Sequence, residues 1–540
     1  MTHRIDNSLQ GFIRFIVKWF KYKKALELAN SELFNVHTWS EYSEVNPVVK
    51  MVYEDLLVNC EFSGNKRIRT RHVKVLVLDL YVKWFKDPAM YVSIYMANWY
   101  YEDLESRYNK LHISALTPKV VKALHSRQWI DLVPGTYGRE PGYTSHVTRI
   151  RATSKLISLF EANNVTSEMI ERVPTIETIF LRDVIFNNST PKNTDINYSD
   201  VDDPRIVTWR EGVTAYNNLL RRTYLDVPSA PIDGIPCRQG ERSKRRGKKP
   251  NRIKVTQHDK FVRRVFNNNS WDDGGRFYGG WWQRISEEWR SQIRIWNNPV
   301  TEIDFKGLHI GLLYRLKGIP YEADPYHLSG YPEYEGNKDM RMLLKQVMLC
   351  SINAESRAKA IQAVNKEVNF NPEKYSWVRE DELNLGELID ALAAEHPLLA
   401  DDFFSGRGIE LQNLDSLIAE KVINHFTAQE IVVLCIHDSF VIPAYKAEEL
   451  KQVMEAAYIE AFQEMGIDSS LAPKVDLTGL ELGQWNVIMS HPDWRELRES
   501  FVREPHDYPE WAERLGKFRA RTEMADYNPN YYVAESESSN

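Results

Sequence analysis

A carboxylate that holds a metal ion must be exposed at one end and rigidly fixed at the other, and two segments of this sequence offer that arrangement. The first is VTEIDFKGLHIGLLYRLKGI, residues 300–319. Val300 and Ile303 frame a short strand that delivers Asp304 at its end, and LHIGLLYRL has the apolar spacing of a helix. Asp304 then stands where a strand meets a helix; an aspartate that simply caps the helix is the ordinary alternative. The second is EIVVLCIHDSFVIP, residues 430–443. Ile431 to Cys435 predict a buried strand, Phe440 to Ile442 are apolar again, and His437-Asp438 lies between them. A polar pair inside an apolar hairpin is costly to bury without a partner. A turn presenting Asp438 to a metal would supply one, and a plain turn built on Asp438-Ser439 is the alternative.

Two cationic segments accompany the aspartates. In KDMRMLLKQVMLCSINAESRAKA, residues 338–360, Arg341, Lys345 and then Met348 or Leu349 recur at helical spacing, so the cations share a face. Such a helix can hold nucleotide phosphates while its next turn packs against a base; a solvated basic face is the commoner use of the pattern. In SWDDGGRFYGGWWQRI, residues 270–285, two glycines permit a tight turn before Arg276 and the aromatics offer stacking surfaces. Arg276 there suits a phosphate or a template strand, or else the segment is a packing corner.

These residues need a scaffold, and the composition allows a large one. The chain has 540 residues, 43% hydrophobic and 27% charged, which suggests two to four globular domains. By texture it divides into a helical N-terminal region (1–160), a helical segment ending in a basic loop (161–255), the region carrying the chemistry (256–500) and a charged, loosely packed tail (501–540). The fold class expected is mixed α+β. Within the first region, about 70–160, TPKVVKALHSRQWIDLVPG, GTYGREPGYTS and HVTRIRATSKLISLF read as helix, strand, flexible hairpin tip and strand. That layout resembles a winged helix, whose wing would turn Arg139, Arg149 and Arg151 toward a phosphate backbone. An ordinary small α+β lobe is the other reading.

Net charge is −6, but it is unevenly spread. Residues 238–264 contain Lys244, Arg245, Arg246, Lys248 and Lys249 and are opposed only by Glu241 and Asp259, so a basic contact surface for nucleic acid is available despite the acidic total. A solvated linker has the same composition. Cys60, Cys237, Cys350 and Cys435 show no zinc-ribbon or CxxC spacing, which predicts neither a disulfide framework nor a zinc site and fits a cytoplasmic protein. The N-terminal apolar stretch is too short and interrupted for a membrane span, so no membrane partner is expected.

Taken in order, Asp272…Gly275-Arg276, Asp304, Arg341…Lys345 and His437-Asp438 resemble the motif series of family A DNA polymerases and bacteriophage-type single-subunit RNA polymerases. Gln412 in GRGIELQNLDSLIAEKV is similar to the family's position beside the primer–template minor groove, and DPYHLSG (324–330) to a segment that follows the first aspartate. The likeness spans about 256–500, under half of the chain. It implies a right-hand core of palm, fingers and thumb, with Asp304 and Asp438 binding two Mg²⁺ (Mn²⁺ being a substitute). It further implies Arg341 and Lys345 on the triphosphate of a dNTP or NTP, Lys345 also stabilising the leaving pyrophosphate. Leu349, Asn353 and His309 would line the nucleotide, with Arg276, Gln412 and His437 on DNA template and primer.

The sequence departs from the family at the sugar-sensing positions. Asn353-Ala354 replaces the usual Tyr-Gly, and His309 stands five residues after the first aspartate, where family A DNA polymerases place a glutamate. Gln412 favours DNA synthesis; DDGGR and HDSF favour an RNA polymerase or primase-like enzyme. DNA synthesis by a monomer without a 3′–5′ exonuclease is the reading adopted. A non-catalytic replication initiator and a two-metal nuclease using Glu302, Asp324 or Asp415 are the alternatives from other classes.

Overall fold

Residues 73–82 read VKVLVLDLYV, apolar on nearly every face of a helix, and such a helix must run through the middle of a core. In the computed structural model it does. The structure describes residues 27–58, 65–137, 145–187, 190–231, 234–237, 252–321, 323–467, 475–479 and 509–519. It forms two units, Met1–Glu177 with Ala520–Asn540, and Thr178–Arg519.

In the first unit, α1 (Val45–Leu57) packs on the central α2 (Lys66–Lys86), which buries Val73, Val75 to Leu78 and Leu80. Its one acidic core residue, Asp79, is satisfied by the Thr38 hydroxyl at 3.0 Å and the Asn35 amide at 3.1 Å. A sheet of order β1-β3-β5-β4 (Ser31–Leu33, Tyr91–Ile94, Thr148–Ala152, Ile130–Val133) has one parallel pair, β1 with β3, and is otherwise antiparallel. A second pair joins β2 (Thr38–Trp39) to β6 (Glu171–Arg172). Helix α3 (Thr117–Ser126) precedes β4 and buries Val120, Val121 and Leu124, the expected face; α4 (Ser154–Ala162) follows β5.

The expected wing arginines behave differently. Arg149 donates to the carbonyls of Leu28 and Val147, and Arg151 pairs with Asp131 and Glu27 while lying over the Tyr91 ring. On β5 they alternate with the buried Thr148, Ile150 and Ala152, and both are held by neighbouring strand groups instead of reaching out. Arg139 lies outside the described residues.

One histidine makes this unit sensitive to acid. His72 is buried in α2, where its Nδ1 faces the Ile68 carbonyl at 2.8 Å and its Nε2 accepts from the Ser114 amide at 2.9 Å. An Nε2 that accepts cannot carry a proton, so the neutral ring is built in. Burial, above all, holds its pKa below the ordinary 6.5. The unfolded chain therefore takes up a proton that the folded one refuses, and this group's contribution is complete above pH 6.5 and lost as pH falls below it. His72→Gln supplies a donor and an acceptor that do not titrate. It should flatten the stability–pH slope between about pH 6.5 and 5 relative to wild type. An unchanged slope in chemical denaturation would refute the assignment. Buried Asp79, whose pKa burial raises, contributes with the opposite sign but is common to both proteins.

In the second unit, β15 (Asn298–Phe305) is the centre of the main sheet, ordered β16-β17-β15-β14-β9 (β16 Leu434–Ile436, β17 Ser439–Pro443, β14 Arg294–Ile295, β9 Leu225–Asp226). Strand β18 (Val475–Gly479) also pairs with β15. A smaller sheet, β13-β12-β7-β8 (Gly274–Tyr278, Arg263–Phe266, Ile179–Asn187, Thr190–Asp195), lies against α11 (Gly408–Ala428) and α5 (Arg205–Arg222). The glycine pair of DDGGR makes that approach possible. Gly275 has φ +79°, and a Cβ there would lie 2.8 Å from both the Ser416 hydroxyl of α11 and the Phe266 ring. Helix α6 (Leu308–Leu316) follows β15. Helices α7 (Lys338–Asn353), α8 (Arg357–Phe370), α9 (Pro372–Glu380) and α10 (Leu385–Glu395) form a helical layer, and α12 (Ala447–Glu464) packs on β15, β17 and α11. Another short pair joins β10 (Ile235–Pro236) to β11 (Arg252–Ile253).

The architecture is mixed α+β, as expected, but the boundaries differ. The division falls at 177/178, inside the expected 161–255 segment; residues 178–255 share a unit with 256–500, and β7 pairs there with β12. Segment 161–255 holds strands as well as α5. Within 501–540, α13 (Pro509–Arg519) is docked instead of loose: Trp511, Leu515 and Phe518 are buried and Arg514 pairs with Asp226. Among the described residues no helix is long and apolar enough to cross a membrane. Cys237, Cys350 and Cys435 are free thiols; Cys60 is outside the described residues.

Candidate functional site

β15 runs antiparallel to β17 with Asp304 opposite Ser439. Strands β16 and β17 close as a hairpin with Ile436 opposite Ser439, which leaves His437-Asp438 as its two-residue turn. His437 takes φ 64°, the left-handed region that such turns require at their first central residue. Paired Cα atoms across a ladder stand about 4.5–5.5 Å apart. Asp438 is therefore one residue from the position facing Asp304, and both aspartates are half-buried. Asp304 does not cap α6; that place belongs to Gly307, at φ 60°. The strand that precedes the turn is shorter than its apolar run, since residues 431–433 are buried without joining the ladder.

The turn is stapled to β15. The Ser439 hydroxyl donates to Glu302 Oε1 at 2.8 Å, and Glu302 in turn takes both prongs of the Arg290 guanidinium at 2.7 and 2.8 Å, all buried. On the other side of β15 the register sets Asp476 of β18 opposite Asp304, a position the sequence reading did not single out.

A second cluster adjoins. Arg276 of β13 forks onto Asp415 of α11, with Nε at 2.9 and 3.0 Å from its oxygens. His309 Nε2 lies 2.9 Å from the same carboxylate and 3.3 Å from Arg276 Nη2. Asp415 is fully buried. Burial works against the Arg276 charge, but Asp415, with a smaller share from Asp438, more than offsets it and raises the arginine's pKa. The Tyr278 ring meets His437 edge-on at 5.3 Å. Gln412 sits in the second turn of α11, three residues before Asp415.

Tyr326, from the loop after α6, ties these groups to α7. Its phenol is raised to about 12, chiefly by burial and in smaller part by Asp324, Asp438 and Asp304, whose charges therefore reach it. Arg341 lies over its ring at 5.0 Å and pairs with Asp324 at 2.8 and 3.1 Å. The loop is clamped by buried His396, which faces the Pro325 carbonyl at 3.0 Å and the Tyr314 hydroxyl at 2.9 Å. Along α7, Arg341, Lys345, Leu349 and Asn353 recur every fourth residue and all are exposed; Leu343, Leu344, Val347 and Met348 fill the opposite face. Leu349, 47% exposed, is an apolar surface between polar neighbours. Asn353 donates to the Leu349 carbonyl and abuts Gly408, where a Cβ would lie 1.8 Å from its Oδ1. A cavity of about 510 Å³ borders Arg341, lined by Tyr321, Tyr326, Tyr331, Tyr334 and His396 among others.

The structure thus gathers Asp304, Asp438, His437, Arg276 and His309 with Asp415 and Tyr326, and sets Arg341 at the edge through Tyr326. Lys345, Leu349 and Asn353 share the helix stripe that Arg341 begins. Lys244, Arg245, Arg246, Lys248 and Lys249 lie outside the described residues. Sequence reasoning named Asp415 only as a carboxylate of the nuclease alternative and gave Tyr326 no part in the site. Asp415 follows Gln412 by one turn, and Tyr326 is inside DPYH, so spacing pointed to both only once their neighbours were known.

Among the described residues no cluster of three or more His, Cys, Asp or Glu has metal-holding geometry. Mg²⁺ needs only one or two carboxylates when phosphate oxygens and water complete its shell, and Asp304 with Asp438 fit that donor set. The chain matches no protein-family model and no curated protein.

Proposed function

We propose that Thr178–Arg519 is a template-directed nucleic-acid polymerase, a nucleotidyltransferase with a right-hand core in which the main sheet is the palm. The observation that carries this reading is that Asp304, on β15, faces Ser439, the first residue of β17, so that Asp438 in the β16–β17 turn is one residue from the position opposite Asp304. Two Mg²⁺ ions held there would activate a 3′-hydroxyl and steady the triphosphate, which is most of what in-line phosphoryl transfer requires. Arg341 and Lys345 neutralise the triphosphate, and Arg341 exchanges Asp324 for phosphate to do so. Lys345 steadies the leaving pyrophosphate. Leu349 and Asn353 lie along the nucleotide, His437 holds the primer end, and Arg276 and Gln412 face template and primer. DNA is the favoured product, made by a monomer in the cytoplasm, with RNA or primer synthesis as the closest alternative. Extension of a labelled DNA hairpin with Mg²⁺ and either dNTPs or NTPs tests the reading. A wild-type protein that extends neither DNA nor RNA primers with any metal tried would sink it.

The first unit supports a DNA-binding role of winged-helix type. Its sheet order β3-β5-β4, with α3 leading into β4, suits that layout. The exposed side of α3 carries Lys119, Lys122 and His125 and no acidic residue. Lys119→Ala with Lys122→Ala should weaken duplex DNA binding and reduce the slope of log K against log salt by about 2, roughly one per lost phosphate contact. An unchanged slope would place the DNA surface elsewhere, and a protein that binds DNA by this face yet never extends a primer would be an initiator.

A further inference from the structure

Ser439 is next in the chain to Asp438 and stands opposite Asp304 in the ladder, yet its hydroxyl bonds run elsewhere. It donates diagonally to Glu302 Oε1 at 2.8 Å and lies 3.4 Å from the Ile436 carbonyl across the turn. Glu302 precedes Asp304 by two residues, so both side chains leave the same face of β15. This acceptor cannot swing. Arg290 closes on its two oxygens from Nε at 2.8 Å and Nη2 at 2.7 Å, and Arg290 Nη1 is itself anchored on the Ile285 carbonyl at 3.1 Å. All three side chains are buried. The turn beside them needs such support, because His437 holds φ 64° without being a glycine. A backbone of that kind keeps its shape only where its surroundings over-determine it.

Resting on the polymerase reading, we propose that Ser439, Glu302 and Arg290 are positioning residues that fix Asp438 against Asp304 and thereby set the affinity of the site for divalent cations. The ladder holds the backbone of Ser439, and the hydroxyl bond adds a rigid tie one residue from Asp438. Without that tie Asp438 spreads over more positions than a pair of ions about 3.5–4 Å apart tolerates. Glu302 spends both oxygens on its own chain, so it serves as a prop and not as a third metal ligand. None of the three touches substrate in this scheme; each acts through the turn.

The test is the Mg²⁺ dependence of primer extension by the full chain, with Mn²⁺ binding to the same proteins read from the electron paramagnetic resonance of the free ion. Ser439→Ala should raise the Mg²⁺ concentration at half-maximal rate about tenfold and weaken Mn²⁺ binding likewise, the lower end of what losing an outer-shell partner costs. Its rate at saturating Mg²⁺ should stay close to that of wild type. Ser439→Thr keeps the hydroxyl and should restore most of the affinity. Should Ser439→Ala fail to fold by melting and circular dichroism, Arg290→Lys decides. It keeps the charge but loses the fork that holds both oxygens of Glu302, and should raise the Mg²⁺ requirement in the same direction. An unchanged Mg²⁺ requirement and Mn²⁺ affinity in the folded variant would overturn the proposal. So would a loss of rate that saturating Mg²⁺ does not recover, or Ser439→Thr as impaired as Ser439→Ala. Wild-type inactivity on every primer would instead overturn the polymerase reading itself.

Discussion

Asp438→Ala should reduce primer extension by 10³-fold or more while leaving the fold and the melting temperature close to wild type. A metal at this position supplies several kcal/mol of charge stabilisation to the transition state, and each 1.36 kcal/mol is a factor of ten in rate. The side chain lies in a turn whose ladder is closed by backbone bonds of β16 and β17, so truncating it removes no core contact. Asp438→Asn, nearly the same shape, should be as inactive, which separates charge from packing. Asp304→Ala should match it, and the double variant should be no worse than either single one, because on the proposed reading both residues would serve one metal pair. Activity within tenfold of wild type in folded Asp438→Asn would show that the turn is only a turn.

Arg264→Ala should destabilise the second unit by about 3–5 kcal/mol, the usual cost of stripping one partner from a buried ion pair. The guanidinium is completely buried. It pairs with Glu420, bonds the Gly275 carbonyl at 2.9 Å and the Ser416 hydroxyl at 3.2 Å, and lies 4.9–5.1 Å from the rings of Trp209, Phe266 and Phe277. Burial lowers its pKa and Glu420 pulls it back, so the partners compensate a charge that would otherwise be buried alone. It joins β12 to β13 and α11, the elements that carry Arg276 and Asp415, so activity should fall with stability. Hydrogen exchange of peptides covering 205–222 and 263–278 reads this unit alone. Protection within 1 kcal/mol of wild type would contradict the ledger of contacts.

What the sequence made legible was local. Asp304 at a strand–helix junction, His437-Asp438 in a hairpin turn and the shared face of Arg341 and Lys345 all follow from periodicities of two and 3.6, and all are present. Segment 161–255 misled because its helical reading passed over the local β7–β8 hairpin, and the pairing that ties this hairpin into a sheet, β7 with β12, comes from some eighty residues on. The docking of α13 escaped because its Pro-rich, charged surroundings hide three buried aromatic and aliphatic side chains, of which Phe518 packs on Tyr224 and Trp296, far upstream in the chain. Arg149 and Arg151 looked like contact residues because an arginine's spacing does not say whether a carboxylate or carbonyl awaits it. Asp415 was invisible as a hub, since its two partners lie 139 and 106 residues upstream.

The order of the main sheet has a consequence for synthesis. β15 is its central strand, yet the residue that staples the His437-Asp438 turn to it is made 137 residues later. At 5–20 residues per second a nascent chain would carry that strand with its β17 edge unpaired for on the order of ten seconds. Throughout that interval the ribosome holds a chain able to pair with a neighbour's edge and unable to gather its two aspartates. A product shortened anywhere before residue 443 would leave that edge open and prone to clump, so production of this protein should depend on elongation speed and on chaperones that shield open strands.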